Sequence, residues 1–145
     1  MKLILQRVSS ASVLVDEKVI SSINKGVLIL FGVEKGDGKE QVSFLVNKTL
    51  NLRVFPDENG KMNLSCIDVR GDILVVSQFT LLGDCSRGRR PGFDKVADPD
   101  TARDLYEYYV ESLCKSGLKV DTGKFGANMK LKLVNDGPVT FLLES

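Results

Sequence analysis

The stretch Asn135-Asp136-Gly137-Pro138-Val139-Thr140 decides how the end of this chain is built, because it joins two short apolar runs. These runs span residues 128–134 and 139–143. Glycine adopts backbone angles that other residues avoid, and a cis bond into proline costs only about 0.5–1 kcal/mol over trans. Two interpretations are open at this point. The stretch is either an ordinary turn between two strands or a rigid corner whose carbonyl groups point in unusual directions.

A second stretch, Ser77-Gln78-Phe79-Thr80-Leu81, lies in the clearest predicted strand of the chain. The pattern of residues 73–82 predicts one strand that begins apolar and becomes polar toward its C-terminal end. Polar groups entering a buried strand need hydrogen-bond partners. Ser77, Gln78 and Thr80 therefore either cap the strand or line a pocket.

Composition indicates one domain spanning residues 1–145, with 43% hydrophobic and 27% charged residues. No apolar run approaches the roughly 18–20 residues of a membrane helix, and the first residues lack the plan of a signal peptide. We therefore expect a cytoplasmic protein with no membrane contact. The net charge of +1 creates no overall field for nucleic acid, so RNA would have to bind at a local patch.

The absence of histidine restricts the chemistry more than any other feature. It removes every mechanism in which histidine activates a serine, cysteine or water. The three cysteines are far apart, so a structural zinc site is not expected either. An enzyme built from this chain would use carboxylates, backbone amides, hydroxyls, lysine or its own substrate, and we expect no metal and no cofactor.

Alternation of apolar residues predicts a strand over residues 3–15, with Gln6 and Arg7 as polar residues in its middle. One interpretation is an edge strand with a solvated face. The other places Arg7 at a dimer seam, where a guanidinium fork can hold backbone carbonyls across an interface.

Two helices are predicted, over residues 39–52 and from Asp98-Pro99 to Gly117. The run 27–33 is typical of a central strand covered on both faces. These patterns predict an α/β (α+β) fold: a strongly curved, mostly antiparallel, barrel-like sheet with two helices packed on it. The acidic outer face of the second helix should repel RNA; its residues are Asp100, Asp104, Glu107 and Glu111.

A long loop over residues 83–97 contains glycine-spaced arginines. Loops of this length are usually functional or disordered. Arg87, Arg89 and Arg90, with Phe93 nearby, suit phosphates and a stacked base. The alternative is a solvated loop without a partner.

Taken together, these stretches resemble the D-aminoacyl-tRNA deacylase family over nearly the whole chain. Gly92 is a small departure, since many relatives carry serine there. The resemblance is carried by residues 5–8, Ala11-Ser12-Val13, residues 77–81, residues 88–93, Phe125-Gly126-Ala127 with Met129, and residues 135–140.

The resemblance implies a cytosolic homodimer that hydrolyses the ester between a D-amino acid and the 3′-terminal adenosine of tRNA, and that also removes mischarged glycine. It implies that the Gly137–Pro138 bond is cis and enters the partner's pocket, braced by Arg7 across the interface. Residues 77–80 would form the opposite wall and hold the adenosine. The implied substrate-binding residues are Ser77, Gln78, Met129, Asn135, Gly137, Pro138, Val139 and Thr140. Our own hypothesis for the catalytic groups is the backbone amides of Phe79 and Thr80.

The Thr80 hydroxyl resembles a nucleophile, but no histidine exists to deprotonate it, and a free hydroxyl is a weak nucleophile. We therefore expect Thr80 to position groups only. The neighbouring ribose hydroxyl can orient or activate water, while backbone N–H groups near Phe79 and Thr80 stabilise the oxyanion. Chirality would follow from the corner: its carbonyls accept the α-amino group, and an L side chain collides with backbone.

Three other functions remain to be separated from this one. The first is a related enzyme with a trans Gly-Pro bond, which corrects an L-amino acid on the wrong tRNA. The second is an RNA-binding dimer without catalysis. The third is a purely structural domain.

Overall fold

A computed structural model describes residues 1–145, the whole of the chain given above. Eight strands, two α-helices and one 3-10 helix make up the fold. Neither α-helix combines the length and hydrophobicity that crossing a bilayer requires. In chain order the elements are β1 (Lys2–Val15), β2 (Lys18–Ile23), β3 (Gly26–Gly32), α1 (Lys39–Asn51), β4 (Phe55–Pro56), β5 (Met62–Leu64), β6 (Asp72–Ser77), a 3-10 helix (Phe79–Leu82), α2 (Pro99–Cys114), β7 (Val120–Thr122) and β8 (Lys130–Glu144).

The main sheet is mixed and curls toward a barrel. β1 pairs antiparallel with β2, β3 and β8, whereas β6 pairs parallel with β3 and β7. Near the seam between β2 and β7, Lys119 Nζ donates a hydrogen bond to the Ser22 carbonyl at 2.8 Å. The prediction of a strongly curved, barrel-like sheet carrying two helices is confirmed.

Both helices pack on one face of the sheet over the larger apolar core. Tyr109 of α2 is fully buried and stacks on Phe31 of β3, with ring centroids 4.4 Å apart. Its hydroxyl and that of Thr49 on α1 lie 2.5 Å apart, so both buried hydroxyls are paired. Burial in an apolar environment raises the pKa of Tyr109, which keeps this hydroxyl protonated. The pair thus ties α1, α2 and β3 together.

β1 is not an edge strand, and this corrects one of the two interpretations of Gln6 and Arg7. It has neighbours on both sides: β8 follows one side, and β2 and β3 divide the other. Alternation along one strand shows which face is apolar, but it carries no information on which strands lie beside it.

The strand predicted over residues 73–82 ends five residues early, at Ser77. Gln78 N–H donates to the Phe31 carbonyl at 2.8 Å, and β3 ends one residue later. Beyond this point β6 has no neighbouring strand to pair with, so hydrogen bonds between residues close in the chain replace the strand pairing. Leu81 N–H donates to the Gln78 carbonyl, and Gly83 N–H donates to the Thr80 carbonyl. The chain therefore turns into a 3-10 helix and projects Phe79 and Thr80 outward.

The Gly-Pro stretch is not a turn between two strands. β8 runs from Lys130 to Glu144 as one strand, antiparallel to β1 throughout. Gln6 pairs with Thr140 and Val8 pairs with Asn135, so two steps along β1 correspond to five along β8. The extra residues form a bulge, and the Gly137–Pro138 bond within it is cis, as the resemblance implies.

β8 is exposed over much of its length. Met129 and Leu131 pack against the smaller core on the other face of the sheet, but Leu133 is 37% exposed. Val134 and Leu142 are each 58% exposed. The strand pairs only with β1 and leaves its other edge open.

Arg7 fixes the bulge from inside the chain. Its guanidinium is nearly buried; Nη1 donates to the Val54 carbonyl at 2.6 Å and Nε donates to the Asp136 carbonyl at 3.0 Å. The Asp136 carboxylate lies 3.3 Å from Nε. These contacts link β1, β8 and the start of β4 within one chain. A contact of Arg7 across an interface stays a prediction.

We expect Arg7→Lys to lower the free energy of unfolding by about 1–3 kcal/mol, because an ammonium group cannot reach both carbonyls and leaves one buried acceptor unpaired. Denaturant titration at fixed protein concentration measures this. Arg53→Lys is the matched control, since Arg53 makes one exposed hydrogen bond, to Asn63. Equal stability of the two variants would show that the Arg7 fork is not needed.

Candidate active site

A cavity of about 540 Å³ opens at the carboxyl ends of β3 and β6. Crevices outside the carboxyl ends of parallel strands are common ligand sites, because the strands end and the following loops diverge there. β3 and β6 contribute one wall, α2 a second, and the segment after β7 a third. The lining includes Phe31, Gly32, Ser77, Gln78, Phe79, Pro99, Ala102, Tyr106, residues 125–129 and Leu131.

Four of the predicted site residues meet at this cavity: Ser77, Gln78, Phe79 and Met129. Thr80 follows directly on the exposed 3-10 helix but does not line the cavity. The Gln78 side-chain amide donates a hydrogen bond to the Thr80 hydroxyl oxygen. The Thr80 hydroxyl is thus held by an amide and not by a base.

The N–H groups of Phe79 and Thr80 have no acceptor in the chain. They belong to the first residues of a helix, where an N–H has no partner within the helix, and no loop or side-chain oxygen accepts from them. Two adjacent unpaired donors therefore lie at the mouth of the cavity, next to Gln78.

No lining residue is a carboxylic acid, a lysine, an arginine or a cysteine. The single titratable group is Tyr106, whose hydroxyl donates to the Val75 carbonyl at 2.9 Å. Burial raises the pKa of Tyr106 well above its usual value, with the Glu107 charge as a smaller cause. The side chains of one chain therefore place no proton acceptor in the cavity at neutral pH.

The corner stands apart from the cavity within one chain: none of its predicted residues, Asn135 and 137–140, lines the cavity. Asn135 closes the bulge, since its Oδ1 accepts from Val139 N–H at 2.8 Å and its Nδ2 donates to Thr140 Oγ1 at 2.9 Å. Gln6 Nε2 also donates to Thr140 Oγ1, at 3.3 Å.

Gly137 has a φ of +134°, and a Cβ atom there would lie 2.6 Å from Val139 Cγ2 and 3.1 Å from an Arg7 nitrogen. No larger residue fits this position without moving the strand.

The arginine loop reaches the cavity in two ways: Val96 and Ala97 at its end line the cavity, and Phe93 contacts Phe79. The Phe93 ring lies edge-on to Phe79, with centroids 5.2 Å apart. The Asp84–Gly92 pair of backbone hydrogen bonds closes the loop at its base, at 2.8 and 2.9 Å. The side chains of Arg87, Arg89 and Arg90 are exposed, and none forms an ion pair within the chain.

Sequence reasoning missed the wall formed by α2 and by residues 125–127. Ala102 and Tyr106 pack inward from α2, as helical spacing predicts, but they also line the cavity. Phe125-Gly126-Ala127 was recognised as a motif without a role. The helical spacing indicates a buried face but does not distinguish a packed neighbour from an empty volume.

Comparison with known proteins gives one consistent result. The family model described as D-Tyr-tRNA(Tyr) deacylase matches residues 4–144. A protein of Thermosipho melanesiensis named D-aminoacyl-tRNA deacylase is 57% identical over 100% of this chain and 97% of its own length. A protein of Clostridioides difficile with the same name is 54% identical, again over 100% of this chain and 97% of the relative.

Two solved structures share the fold. One, named c-Myc DNA Unwinding Element Binding Protein, superposes with a TM-score of 0.94 at 42% identity and covers 100% of this chain and 99% of that one. The other, described as a probable eukaryotic D-amino acid tRNA deacylase, has a TM-score of 0.86 at 19% identity, over 99% and 98% of the two chains. The family match, the identity over the full chain and the cavity wall at residues 77–79 agree, and this chain belongs to the D-Tyr-tRNA(Tyr) deacylase family.

Proposed function

We propose that this chain hydrolyses the ester between a D-amino acid, or glycine, and the 3′-terminal adenosine of tRNA. The observation that carries the proposal is the pair of unpaired N–H groups at Phe79 and Thr80 beside a cavity without a titratable base, in a member of this family. Its substrate is formed where tRNA is charged, so the proposed place of action is the cytoplasm.

Water attacks the ester carbonyl, and the resulting oxyanion accepts hydrogen bonds from Phe79 and Thr80 N–H. The bond from the carbonyl carbon to the ribose oxygen then breaks, and the ribose oxygen takes up the proton that the attacking water has given up, so that the free amino acid and the ribose hydroxyl are formed. A preorganised donor of this kind contributes roughly 3–4 kcal/mol to transition-state stabilisation. The neighbouring ribose hydroxyl orients the water, because no side chain of the cavity wall supplies a titratable base.

Ser77, Gln78 and Met129 bind the terminal nucleoside and aminoacyl group, while the loop arginines and Phe93 contact the RNA. The corner, Gly137 and Pro138 with Asn135, Val139 and Thr140, is supplied by a second copy of the chain and Arg7 holds it rigid. Its carbonyls accept the α-amino group, and main chain cannot rotate aside for an L side chain. Glycine passes because it has no side chain to collide.

A homodimer is supported by the open edge of β8. The strand pairs only with β1 and exposes the apolar residues Leu133, Val134, Phe141 and Leu142. An apolar, unpaired strand edge is a surface that a second chain covers. The corner lies in this strand, so covering its edge brings the corner close to the partner.

The decisive assay compares tRNA charged with D-tyrosine, L-tyrosine and glycine under identical conditions. We expect hydrolysis of the D-ester and the glycyl ester, with the L-ester cleaved no faster than in buffer. Release of the L-amino acid instead would favour the related L-specific enzyme. Binding of uncharged tRNA without hydrolysis of any ester would favour the RNA-binding dimer.

We expect Thr80→Ala to retain at least about a tenth of wild-type kcat on the D-ester, because the backbone amide remains and the hydroxyl only positions groups. Single-turnover kinetics measures this separately from product release. A fall of three orders of magnitude or more, comparable to loss of a catalytic serine, would return the nucleophile role to Thr80.

Mixing two inactive variants tests whether the corner acts in the partner's pocket. Gly137→Ala damages the corner, and Ala127→Phe fills the pocket. If one site uses a pocket and a corner from different chains, a mixture unfolded and refolded together recovers about a quarter of wild-type activity, because half the dimers are mixed and each has one intact site.

No recovery in a mixture shown to contain mixed dimers would place the corner and the pocket in the same chain. Circular dichroism and size-exclusion chromatography establish that each variant folds and pairs. Asn135→Ala replaces Gly137→Ala if the glycine variant does not fold, since it removes the two hydrogen bonds that close the bulge.

A further inference from the structure

Arg103 is an exposed cation at the rim of the cavity to which neither the comparisons nor the motif stretches assign a role. It lies on α2 between Ala102 and Tyr106, two residues that line the cavity. Its guanidinium carbon is 5.3 Å from the centre of the Phe125 ring. Phe125 in turn lines the cavity and packs against Tyr106, with ring centroids 5.7 Å apart.

Arg103 does not form the ion pairs that its neighbours on α2 make possible. Glu107 is four residues along α2 and Asp100 three residues back, both spacings that favour an ion pair. Neither carboxylate pairs with Arg103, and no oxygen of the chain accepts a hydrogen bond from it. The side chain instead lies over an aromatic face, a contact that leaves all of its N–H donors available.

A free guanidinium held in place beside a nucleoside pocket is suited to a phosphate, because its planar fork matches phosphate oxygens. The loop arginines belong to the loop whose Phe93 contacts Phe79, whereas Arg103 lies over Phe125. The acidic outer face of α2 was expected to repel RNA. Arg103 interrupts that acidic surface at the edge nearest the cavity.

We propose that Arg103 binds a backbone phosphate of the tRNA 3′ end, and that it and the arginine loop contact the strand at two separate parts of the cavity rim. This inference rests on the proposed function, since it takes the terminal adenosine to occupy the cavity. The nearest phosphate is then the one that joins the adenosine to the preceding nucleotide. A merely structural role for Arg103, shielding Phe125 from water, predicts a different set of kinetic effects.

The test compares two substrates that differ only in RNA: D-tyrosyl-tRNA and D-tyrosyl-adenosine, which lacks that phosphate. For Arg103→Met, which keeps an unbranched apolar stem but removes the charge, we expect KM for the tRNA substrate to rise about three- to tenfold with kcat unchanged. The slope of log(kcat/KM) against log salt should fall in magnitude by about 0.7, as for one lost phosphate contact on a single strand. Hydrolysis of D-tyrosyl-adenosine should not change.

Two further variants complete the comparison. Arg103→Lys keeps the charge but loses the planar fork. It should restore the wild-type salt slope and only part of the wild-type affinity for the tRNA substrate, measured as KM. Lys115→Met is the matched control, because Lys115 is an exposed cation at the opposite end of α2 and makes no ion pair. It should behave as wild type with both substrates.

The proposal is overturned if Arg103→Met keeps the wild-type salt slope, or if it loses activity equally on both substrates. Equal loss on both substrates would mean that Arg103 supports the cavity wall at Phe125 and does not bind a phosphate. A titration of uncharged tRNA with wild type and Arg103→Met separates this inference from the proposed function. Weaker, less salt-dependent binding by the variant supports the phosphate site even if wild type hydrolyses no D-ester, and equal binding refutes it.

Discussion

The buried guanidinium of Arg7 holds carbonyl groups from two distant parts of the chain, Val54 before β4 and Asp136 in β8. A charge in this position is tolerated because it is satisfied by main-chain oxygens and by one carboxylate. This contact holds the bulge in β8, where five residue steps of β8 lie opposite two residue steps of β1. Asn135 closes the same bulge from its base. Two side chains thus convert an irregular piece of strand into a fixed shape.

The cavity is likewise bordered by backbone that is held in a fixed position. Its wall ends where β3 ends, and the chain responds by forming a 3-10 helix that leaves two N–H groups unpaired. The cavity contains one titratable side chain, and that hydroxyl is already donated to a buried carbonyl. The reaction that we propose for this site depends on the position of amides and on groups of the substrate. Transition-state stabilisation of this kind needs donors that do not have to reorganise, which a short helix anchored on a parallel strand provides.

The elements most accurately predicted were those whose signal is local. The helix beginning at Asp98-Pro99 was located because an aspartate N-cap and a proline in the first turn act on neighbouring backbone; Asp98 indeed accepts from Thr101 N–H at 3.0 Å. The strand 73–82 was predicted too long, because its end is set by where a different strand stops. The interpretation of β1 as an edge strand was wrong for a similar reason, because the neighbours of a strand come from other parts of the chain. Tyr106 and Ala102 were read as core residues because a buried stripe looks the same whether it faces side chains or a cavity.

By itself, the sequence determined the absence of histidine chemistry, the two helices, the apolar strands and the family, since composition, capping and motifs are properties of residues near each other in the chain. Only the tertiary structure decided that the Gly-Pro stretch is a bulge inside one strand, that Arg7 braces it, and that residues 77–79 share a cavity with residues 125–129. These features join residues about 50 to more than 100 positions apart. Such contacts arise from pairing and packing of whole elements, and local patterns do not encode them.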